Sequence, residues 1–193
     1  MRYVLIATIA AAAFATPAFA QPPESPGGFH VDVVGGYDHP RINGQGADGV
    51  AYGLGVGYDA SAGRAIFGVE GEVGDSTADR CAIGTVIAGD RLCVNAGRDL
   101  YVGGRVGARV GGNSLIYVKA GYTNARVGVN YDDGTSATVA DFSDHRDLDG
   151  VRAGAGAQLG IGSRAYVRTE YRYSNYQDGV QRHQVVAGLG VRF

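Results

Sequence analysis

Apolar side chains alternate with small or polar ones from Phe29 to Phe193, in eight segments of about ten residues that are separated by turns. Every second residue of a segment is apolar or small, and none of these positions is charged. The second segment offers Val50, Tyr52, Leu54, Val56 and Tyr58. The intervening positions hold glycine and nearly all of the strand charges. A period of two predicts β-strands with two chemically different faces.

The volumes of the side chains on the two faces indicate which face points inward. A half-buried soluble sheet also alternates, so the period alone does not predict a membrane protein. The interior of an eight-stranded barrel holds little more than side chains, and the bulky apolar set would overfill it. Small and polar residues therefore face inward, and apolar residues face lipid. We predict an all-β fold: a single antiparallel transmembrane β-barrel of eight strands over residues 29–193.

The connections between the segments alternate in length. Tight turns are predicted at 60–63, 111–113 and 160–163, and an intermediate connection is predicted at 174–180. Long loops are predicted at 39–48, 75–98 and 131–148. Transmembrane barrels have short periplasmic turns and long external loops, and an even strand count places both termini in the periplasm.

One predicted strand changes its pattern partway along. Its apolar positions run from Ile116 to Tyr122 in steps of two and then switch to Val127, Val129 and Tyr131. Either a β-bulge near Asn124 or a strand that projects above the membrane would produce the switch.

The first residues resemble an export signal. Arg2 precedes an apolar run from Tyr3 to Ala15, and residues 17–20 (Pro-Ala-Phe-Ala) have the pattern of a signal peptidase site. The run is short for a membrane-spanning helix. We therefore expect a signal peptide over 1–20, a flexible periplasmic leader over 21–28, and a mature chain that begins at Gln21.

Composition excludes two classes of protein. The 33 glycines would suggest disorder if hydrophobicity were low, but 45% of the residues are hydrophobic. The formal net charge of −2 provides no basic field for binding nucleic acid.

The last two predicted strands carry a family resemblance. The final stretch, from Val185 to the terminal Phe193, resembles the C-terminal insertion signal of outer-membrane proteins, and Arg168 to Tyr173 resembles the penultimate strand of the opacity-type, OmpA-like β-barrel family. The resemblance covers residues 29–193. It implies an integral protein of the bacterial outer membrane, in contact with its lipid and inserted by the outer-membrane assembly machinery. It also implies loops that serve adhesion, envelope integrity or limited permeation.

Charged residues on the inward face form the first candidate site. The predicted lumen charges are Asp32, Glu70, Glu72, Arg105, Arg109, Lys119, Arg152, Arg168, Glu170 and Arg172. Closing the barrel brings the mainly acidic early strands against the mainly basic late strands, and a charge deprived of water needs a partner. Two interpretations stay open: a structural plug of ion pairs, and a narrow polar pore or gate.

The two cysteines, Cys81 and Cys93, lie in the second predicted loop. The periplasm is oxidising, so we expect a disulfide that staples this loop and contributes about 3 kcal/mol in the chain-entropy model. The alternatives are free thiols or metal ligands, although no histidine or further cysteine lies nearby in sequence.

The third predicted loop holds a second candidate cluster, running from Asp141 to Asp149 and including Ser143 and His145. Some outer-membrane proteases use Asp and His at the barrel rim, and carboxylates also bind Ca²⁺. The spacing is not that of an EF-hand, and a solvated acidic loop explains the same residues. The sequence therefore predicts no metal, cofactor or catalytic residue. We expect a non-enzymatic barrel with a structural, adhesive or narrow-pore role and an external ligand at the loops. The alternative is a barrel enzyme of envelope lipids or peptides that uses the loop Asp and His residues.

Overall fold

The computed structural model describes residues 27–42, 44–83, 90–132 and 142–193, without the side chains of residues 45, 80, 83 and 142. The predicted signal peptide and nearly all of the predicted leader lie outside the described residues. Among the residues described, no helix has the length and hydropathy needed to cross a membrane.

Alternation of apolar and polar positions produces ten strands in the described part of the chain. The strands are β1 (Gly28–Ile42), β2 (Gln45–Gly46), β3 (Gly49–Ala62), β4 (Ala65–Ser76), β5 (Asp79–Ile83), β6 (Arg91–Val110), β7 (Ser114–Asp132), β8 (Phe142–Ile161), β9 (Ala165–Tyr176) and β10 (Val180–Arg192). A single 3-10 turn, Gln177–Gly179, links β9 to β10.

Eight of these strands close into a ring. The antiparallel order is β1, β3, β4, β6, β7, β8, β9, β10, and β10 pairs back onto β1, with Val33 opposite Leu189. The short strands lie off the ring, β2 pairing with β1 and β5 with β6. Closure leaves no open sheet edge for lipid to meet, as a membrane-spanning sheet requires. The prediction of an eight-stranded antiparallel barrel is confirmed.

Connections at the two ends of the barrel differ in length. Both Gly28 and Phe193 lie at one end, which we call the terminal end, and the backbone N–H of Phe193 donates to the carbonyl of Phe29 at 2.9 Å. The tight turns lie at this end and carry the left-handed glycines Gly63, Gly111 and Gly162, with φ of 62°, 70° and 72°. We call the opposite end the loop end.

Burial shows that this barrel is apolar outside and polar within. Val69, Val151 and Leu189 expose 64%, 66% and 60% of their surface, and similar side chains continue around the wall. A soluble monomer rarely exposes a contiguous apolar belt of this kind. Buried polar and charged side chains outnumber buried hydrophobic ones among the described residues. This is the arrangement of a transmembrane barrel.

Three strands extend well beyond the predicted segments at the loop end. The strands β6 and β8 have 20 residues each and β7 has 19. Much of the predicted loops 75–98 and 131–148 is therefore strand, and β1 likewise continues to Ile42 within the predicted loop 39–48. Those loop boundaries were wrong, because side chains continue to alternate beyond the ten-residue segments. In these extensions the polar side chains face outward and the apolar ones face inward.

Of the two explanations left open for the pattern switch, a β-bulge near Asn124 does not apply to β7 itself. Pairing of β7 with β8 is continuous from Ser114 to Tyr131. The irregularity lies on β6, where two residues, Gly97 and Arg98, stand opposite the single residue Arg126. The other explanation, a projecting strand, fits the structure, because the switch marks the point where β7 extends beyond the polar lumen.

Candidate functional site

The centre of the lumen holds a lysine surrounded by three carboxylates. Lys119 projects inward from β7, and its Nζ lies 2.7 Å from Glu70 Oε1, 3.0 Å from Glu72 Oε1 and 2.8 Å from Glu170 Oε1. Glu70 and Glu72 come from β4 and Glu170 comes from β9, on the other side of the ring. All four side chains are buried. The ammonium therefore links distant walls of the barrel.

Two arginines of β9 balance the remaining negative charge in this central tier. Arg168 Nη2 lies 2.7 Å from Glu72 Oε1 and 3.0 Å from Asp32 Oδ1. Arg172 Nη2 lies 2.9 Å from Glu72 Oε1, and its Nε donates to Glu170 at 2.5 Å. Buried carboxylates are tolerated when each finds charged hydrogen-bond donors.

A second tier lies toward the terminal end. The guanidinium of Arg105 forms a two-pronged ion pair with Asp59, donating from Nε at 2.8 Å, and its Nη1 lies 3.5 Å from Glu70. Asp59 also has Arg192 at 3.8 Å and the ring of His30 at 3.8 Å. Asp59 and Arg105 are almost completely buried.

A third tier of ion pairs lies toward the loop end. Arg182 of β10 donates to both oxygens of Asp38, at 2.8 Å and 2.6 Å, and reaches Asp99 at 3.1 Å. Asp99 also accepts from Arg152 and, at 2.9 Å, from the hydroxyl of Thr123. Tyr176 receives a hydrogen bond of 3.1 Å from Arg152.

Together these tiers form what we call the lumen network. It comprises Asp32, Asp38, Asp59, Glu70, Glu72, Asp99, Glu170, Arg105, Lys119, Arg152, Arg168, Arg172, Arg182 and Arg192. These residues supply one cationic group for each carboxylate. The cavity bordered by Glu72, Asp99 and Arg152 has a volume of about 20 Å³, enough for about one water molecule.

Nine of the ten lumen residues named from the sequence lie in this network, and one does not. Arg109 lies near the terminal end, where its Nη2 is 3.4 Å from the hydroxyl of Ser61. Sequence reasoning placed Arg192 on the inward face without naming it as a site residue, and it missed Asp38, Asp59, Asp99 and Arg182. All four continue the inward-facing alternation by one or a few positions beyond the segments that were assigned, so extending the alternation to the strand ends would have found them.

Polarity inverts where β6, β7 and β8 leave the lumen, and we call this part the projecting sheet. Its outer face is ionic: Arg126 forms a two-pronged ion pair with Asp147 at 2.9 Å and 3.1 Å, and Arg98 lies 3.5 Å from the same carboxylate. Hydrogen bonds from Arg126 hold the pKa of Asp147 below its ordinary value. Asn124 donates to Asp149 at 2.8 Å.

The inner face of the projecting sheet is apolar. Ala125 of β7 and Leu148 of β8 pack with Tyr176 and Val180 in a buried cluster, and Val127 covers its edge. The side-chain alternation along β7 is geometrically unbroken. The environment of the inward-facing side chains changes instead. Inside the lumen, charged side chains form ion pairs, whereas above it apolar side chains pack against each other.

A disulfide staples the edge of this sheet. Cys81 of β5 and Cys93 of β6 are directly opposite in the ladder, and their sulfur atoms are bonded. The two thiols are therefore not metal ligands. Among the described residues, no group of three or more His, Cys, Asp or Glu side chains is arranged to hold a metal ion.

The predicted Asp/His cluster belongs mostly to β8 and not to a loop, while Asp141 lies outside the described residues. Ser143, His145 and Asp147 alternate along one exposed face of the strand. Two carboxylates on this face have other partners: Asp147 pairs with arginines, and Asp149 accepts from Tyr122 and Asn124. The carboxylate of Asp144 accepts from the backbone N–H of His145 at 2.8 Å. Among the described residues of this cluster, no carboxylate is hydrogen-bonded to the ring of His145.

Comparisons with known proteins agree with this geometry. Residues 6–193 match the family model described as "outer membrane protein beta-barrel domain". The chain is 28% identical over 182 residues to the 22 kDa outer membrane protein of Rhizobium leguminosarum bv. viciae, covering 86% of this chain and 77% of the relative. Among solved structures it resembles Ail of Yersinia pestis in complex with the heparin analogue sucrose octasulfate, with a TM-score of 0.59, 17% identity, and coverage of 86% and 99% of the two chains. Neisserial surface protein A is also similar, with a TM-score of 0.59, 15% identity, and coverage of 86% and 97%.

Proposed function

The chain belongs to the outer membrane protein beta-barrel domain family, and we propose that it is a closed, non-conducting barrel that stabilises the envelope and contacts an external partner through its projecting sheet. Its place as an integral outer-membrane protein follows from the family and from the apolar belt described above. The role as a structural and adhesive barrel is our proposal.

The lumen network is the observation that carries the closed-barrel assignment. A solute that crossed the barrel would have to separate Lys119 from three carboxylates, or Arg182 from Asp38 and Asp99. Each separation leaves an uncompensated charge away from water, which is strongly unfavourable. An interior of eight strands has no spare width through which a solute could bypass these groups. These facts favour the plug over the narrow pore.

The projecting sheet supports the proposed adhesive role. It extends the barrel at the loop end, which faces the outside of the cell when short turns are periplasmic. Its outer face displays Arg98, Arg126 and Asp147 in one ion-paired group. Since these charges are of both signs, the surface suits a polar partner of mixed charge better than a polyanion.

No arrangement among the described residues favours the enzyme alternative over the structural one. His145 lies on the same exposed face of β8 as Asp147, but the hydrogen bonds of that carboxylate come from Arg126. In a catalytic triad a carboxylate bonded to the imidazole orients the histidine, and Asp147 is bonded to Arg126 instead.

Conductance across a planar lipid bilayer tests the closed-barrel proposal. The wild-type chain should give no discrete conductance steps. The double variant Glu72→Ala with Arg172→Ala, which removes a carboxylate and a guanidinium that meet in the central tier, should give small steps because it opens space without leaving one charge unpaired. Regular single-channel steps from the wild-type chain would overturn the proposal.

A strain that lacks the gene tests the envelope role. The strain should admit more of a large hydrophilic antibiotic, and the wild-type gene should restore exclusion. The double variant Arg126→Ala with Asp147→Ala should also restore exclusion, because it changes only the outer face of the projecting sheet.

The same double variant, Arg126→Ala with Asp147→Ala, tests the adhesive role. It should weaken attachment of cells to surfaces, so unchanged attachment would remove the adhesive role.

A further inference from the structure

The inner face of the projecting sheet borders a cavity of about 420 Å³ above the lumen network. Side chains that line it include Ile42, Ala82, Leu92, Val94, Val127 and Val180. No described lining residue is charged, and Asn95 is the one with a polar side chain. The amide oxygen of Asn95 already accepts a hydrogen bond from Asn130 at 3.0 Å. The described walls are thus apolar and carry almost no hydrogen-bonding capacity from side chains.

The floor of the cavity separates it from the lumen network. Val180 lines the cavity and packs with Ala125, Leu148 and Tyr176 in the buried cluster. The ring of Tyr176 belongs to this cluster, whereas its hydroxyl receives a hydrogen bond from Arg152 at 3.1 Å. A molecule seated on Val180 would therefore meet the closed third tier below it. The geometry is that of a pocket and not of a passage.

We propose that this cavity is a binding site for a small, uncharged, apolar molecule. Entry of an ion would be unfavourable, because no described lining residue could pair with it. Size gives a second restriction: an apolar cavity of about 150 Å³ holds benzene, so the present volume suits a ligand of about fifteen non-hydrogen atoms. This inference goes beyond the structural and adhesive function proposed above and does not depend on it.

The outer face of the projecting sheet indicates from which side the ligand comes. Arg98, Arg126 and Asp147 cover the outside of β6, β7 and β8 next to the cavity wall. Charged groups of this kind do not lie in the acyl layer of a membrane. The ligand is therefore a free molecule that arrives through water at the loop end, and not an acyl chain of the surrounding bilayer.

Strand β5 completes the wall and depends on the disulfide. Ala82 of β5 stands opposite Leu92 of β6, one position from the Cys81–Cys93 pair, and both Ala82 and Leu92 line the cavity. The disulfide thus holds one side of the pocket in place while leaving the ring of eight strands unaffected.

Titration with naphthalene, an uncharged aromatic probe, tests the proposal. The full chain, with labelled leucine and valine methyl groups, is placed in lipid nanodiscs so that no detergent competes for the site. Methyl signals of Leu92, Val94, Val127 and Val180 should shift and saturate, while lipid-facing Val118 should show only the linear drift of a probe that partitions into lipid.

Two matched variants each place one carboxylate on the projecting sheet. Val94→Asp puts it inside the cavity and should weaken naphthalene binding on the order of tenfold or more, because the charge loses water when the probe enters. Ser143→Asp puts it on the exposed face of β8, at a position that does not line the cavity, and should leave the affinity unchanged. If Val94→Asp fails to fold, Ala82→Phe, which occupies part of the pocket, should weaken binding instead.

Several outcomes would overturn the proposal. One is a wild-type titration in which the pocket methyl signals do not shift or do not saturate. Another is a saturable shift with the same naphthalene affinity in both Asp variants, or an affinity that Ala82→Phe does not change. A third is that binding occurs only through lipid, with Val118 responding as strongly as Val94.

Discussion

Tyr122 donates its hydroxyl hydrogen to the carboxylate of Asp149, and this bond joins β7 to β8 at the level where the outer wall changes from apolar to ionic. On the terminal side of this bond, Val118 and Val151 expose apolar surface. On the other side, Asn124 and Arg126 face outward with polar partners. A tyrosine with an apolar ring and a hydrogen-bonded tip suits the boundary between acyl chains and headgroups. The membrane therefore ends near this bond.

Val106→Arg should destabilise the barrel by about 2–4 kcal/mol, the cost of an arginine near the bilayer midplane. Val106 is exposed and pairs with Val118, which lies midway between the turn at Ser114 and the boundary at Tyr122. Urea unfolding in lipid vesicles measures the free energy. The control Asn124→Arg, above the boundary, should cost about 0–1 kcal/mol. Equal costs for the two variants would contradict the assignment of the lipid face.

Lys119→Met should destabilise the barrel by about 3–5 kcal/mol, because three buried carboxylates lose their shared cation. Urea midpoints in vesicles provide the comparison. Adding Glu70→Gln to Lys119→Met should recover part of the loss, since one of the uncompensated charges is then absent. A single variant as stable as the wild type would show that the central tier does not hold the barrel closed.

Removing the disulfide should loosen β5 without opening the barrel. In the variant Cys81→Ala with Cys93→Ala, β5 keeps its ladder with β6, its neighbour in the described part of the sheet. Cleavage by trypsin after Arg80 or Arg91 should become faster, as mass spectrometry would show. The heat-sensitive electrophoretic shift of the folded barrel should persist. Loss of that shift would mean that the staple supports the ring itself.

Asp147 should titrate below an ordinary aspartate, because Arg126 donates to the charged form. A depressed pKa in the folded state means that the ion pair stabilises the sheet above the unfolded pKa. This contribution is lost as the pH falls through the folded pKa. Carboxyl carbon shifts in NMR follow the titration. Arg126→Gln should move the midpoint upward, and an unchanged midpoint would show that the pair does not persist in solution.

Alternation in the sequence was enough to predict the ring of eight strands and the inward side of most lumen charges. Val56 and Tyr58 face lipid, and Glu70 and Lys119 face inward, because these positions follow a strict period of two. Partners could not be predicted in the same way. The contact between Lys119 of β7 and Glu170 of β9 depends on the register of three strands.

The extent of the strands was the part that the sequence obscured. Asp59 continues the inward face of β3, but it lies between the last apolar position of its segment, Tyr58, and the predicted turn 60–63, so it was not recognised as a lumen residue. The shift of apolar residues to Val127 and Val129 was a genuine signal, since these residues share the inward side of β7 with Ala125. The shift could be interpreted only once the position of the lumen network was known, because above the network apolar side chains pack against each other on the inner side of the sheet.

Nitroxide labels along β7 test the central claim, the inversion of polarity near Tyr122, most directly. The labelled chain is placed in lipid vesicles, and collisions with oxygen, which concentrates in lipid, are compared with collisions with a water-soluble nickel chelate. A label at 118 should meet oxygen and not nickel, a label at 126 should meet nickel, and a label at 127 should be shielded from both. The account would be contradicted if a label at 118 collided freely with the nickel chelate. It would also be contradicted if a label at 126 met oxygen and not nickel.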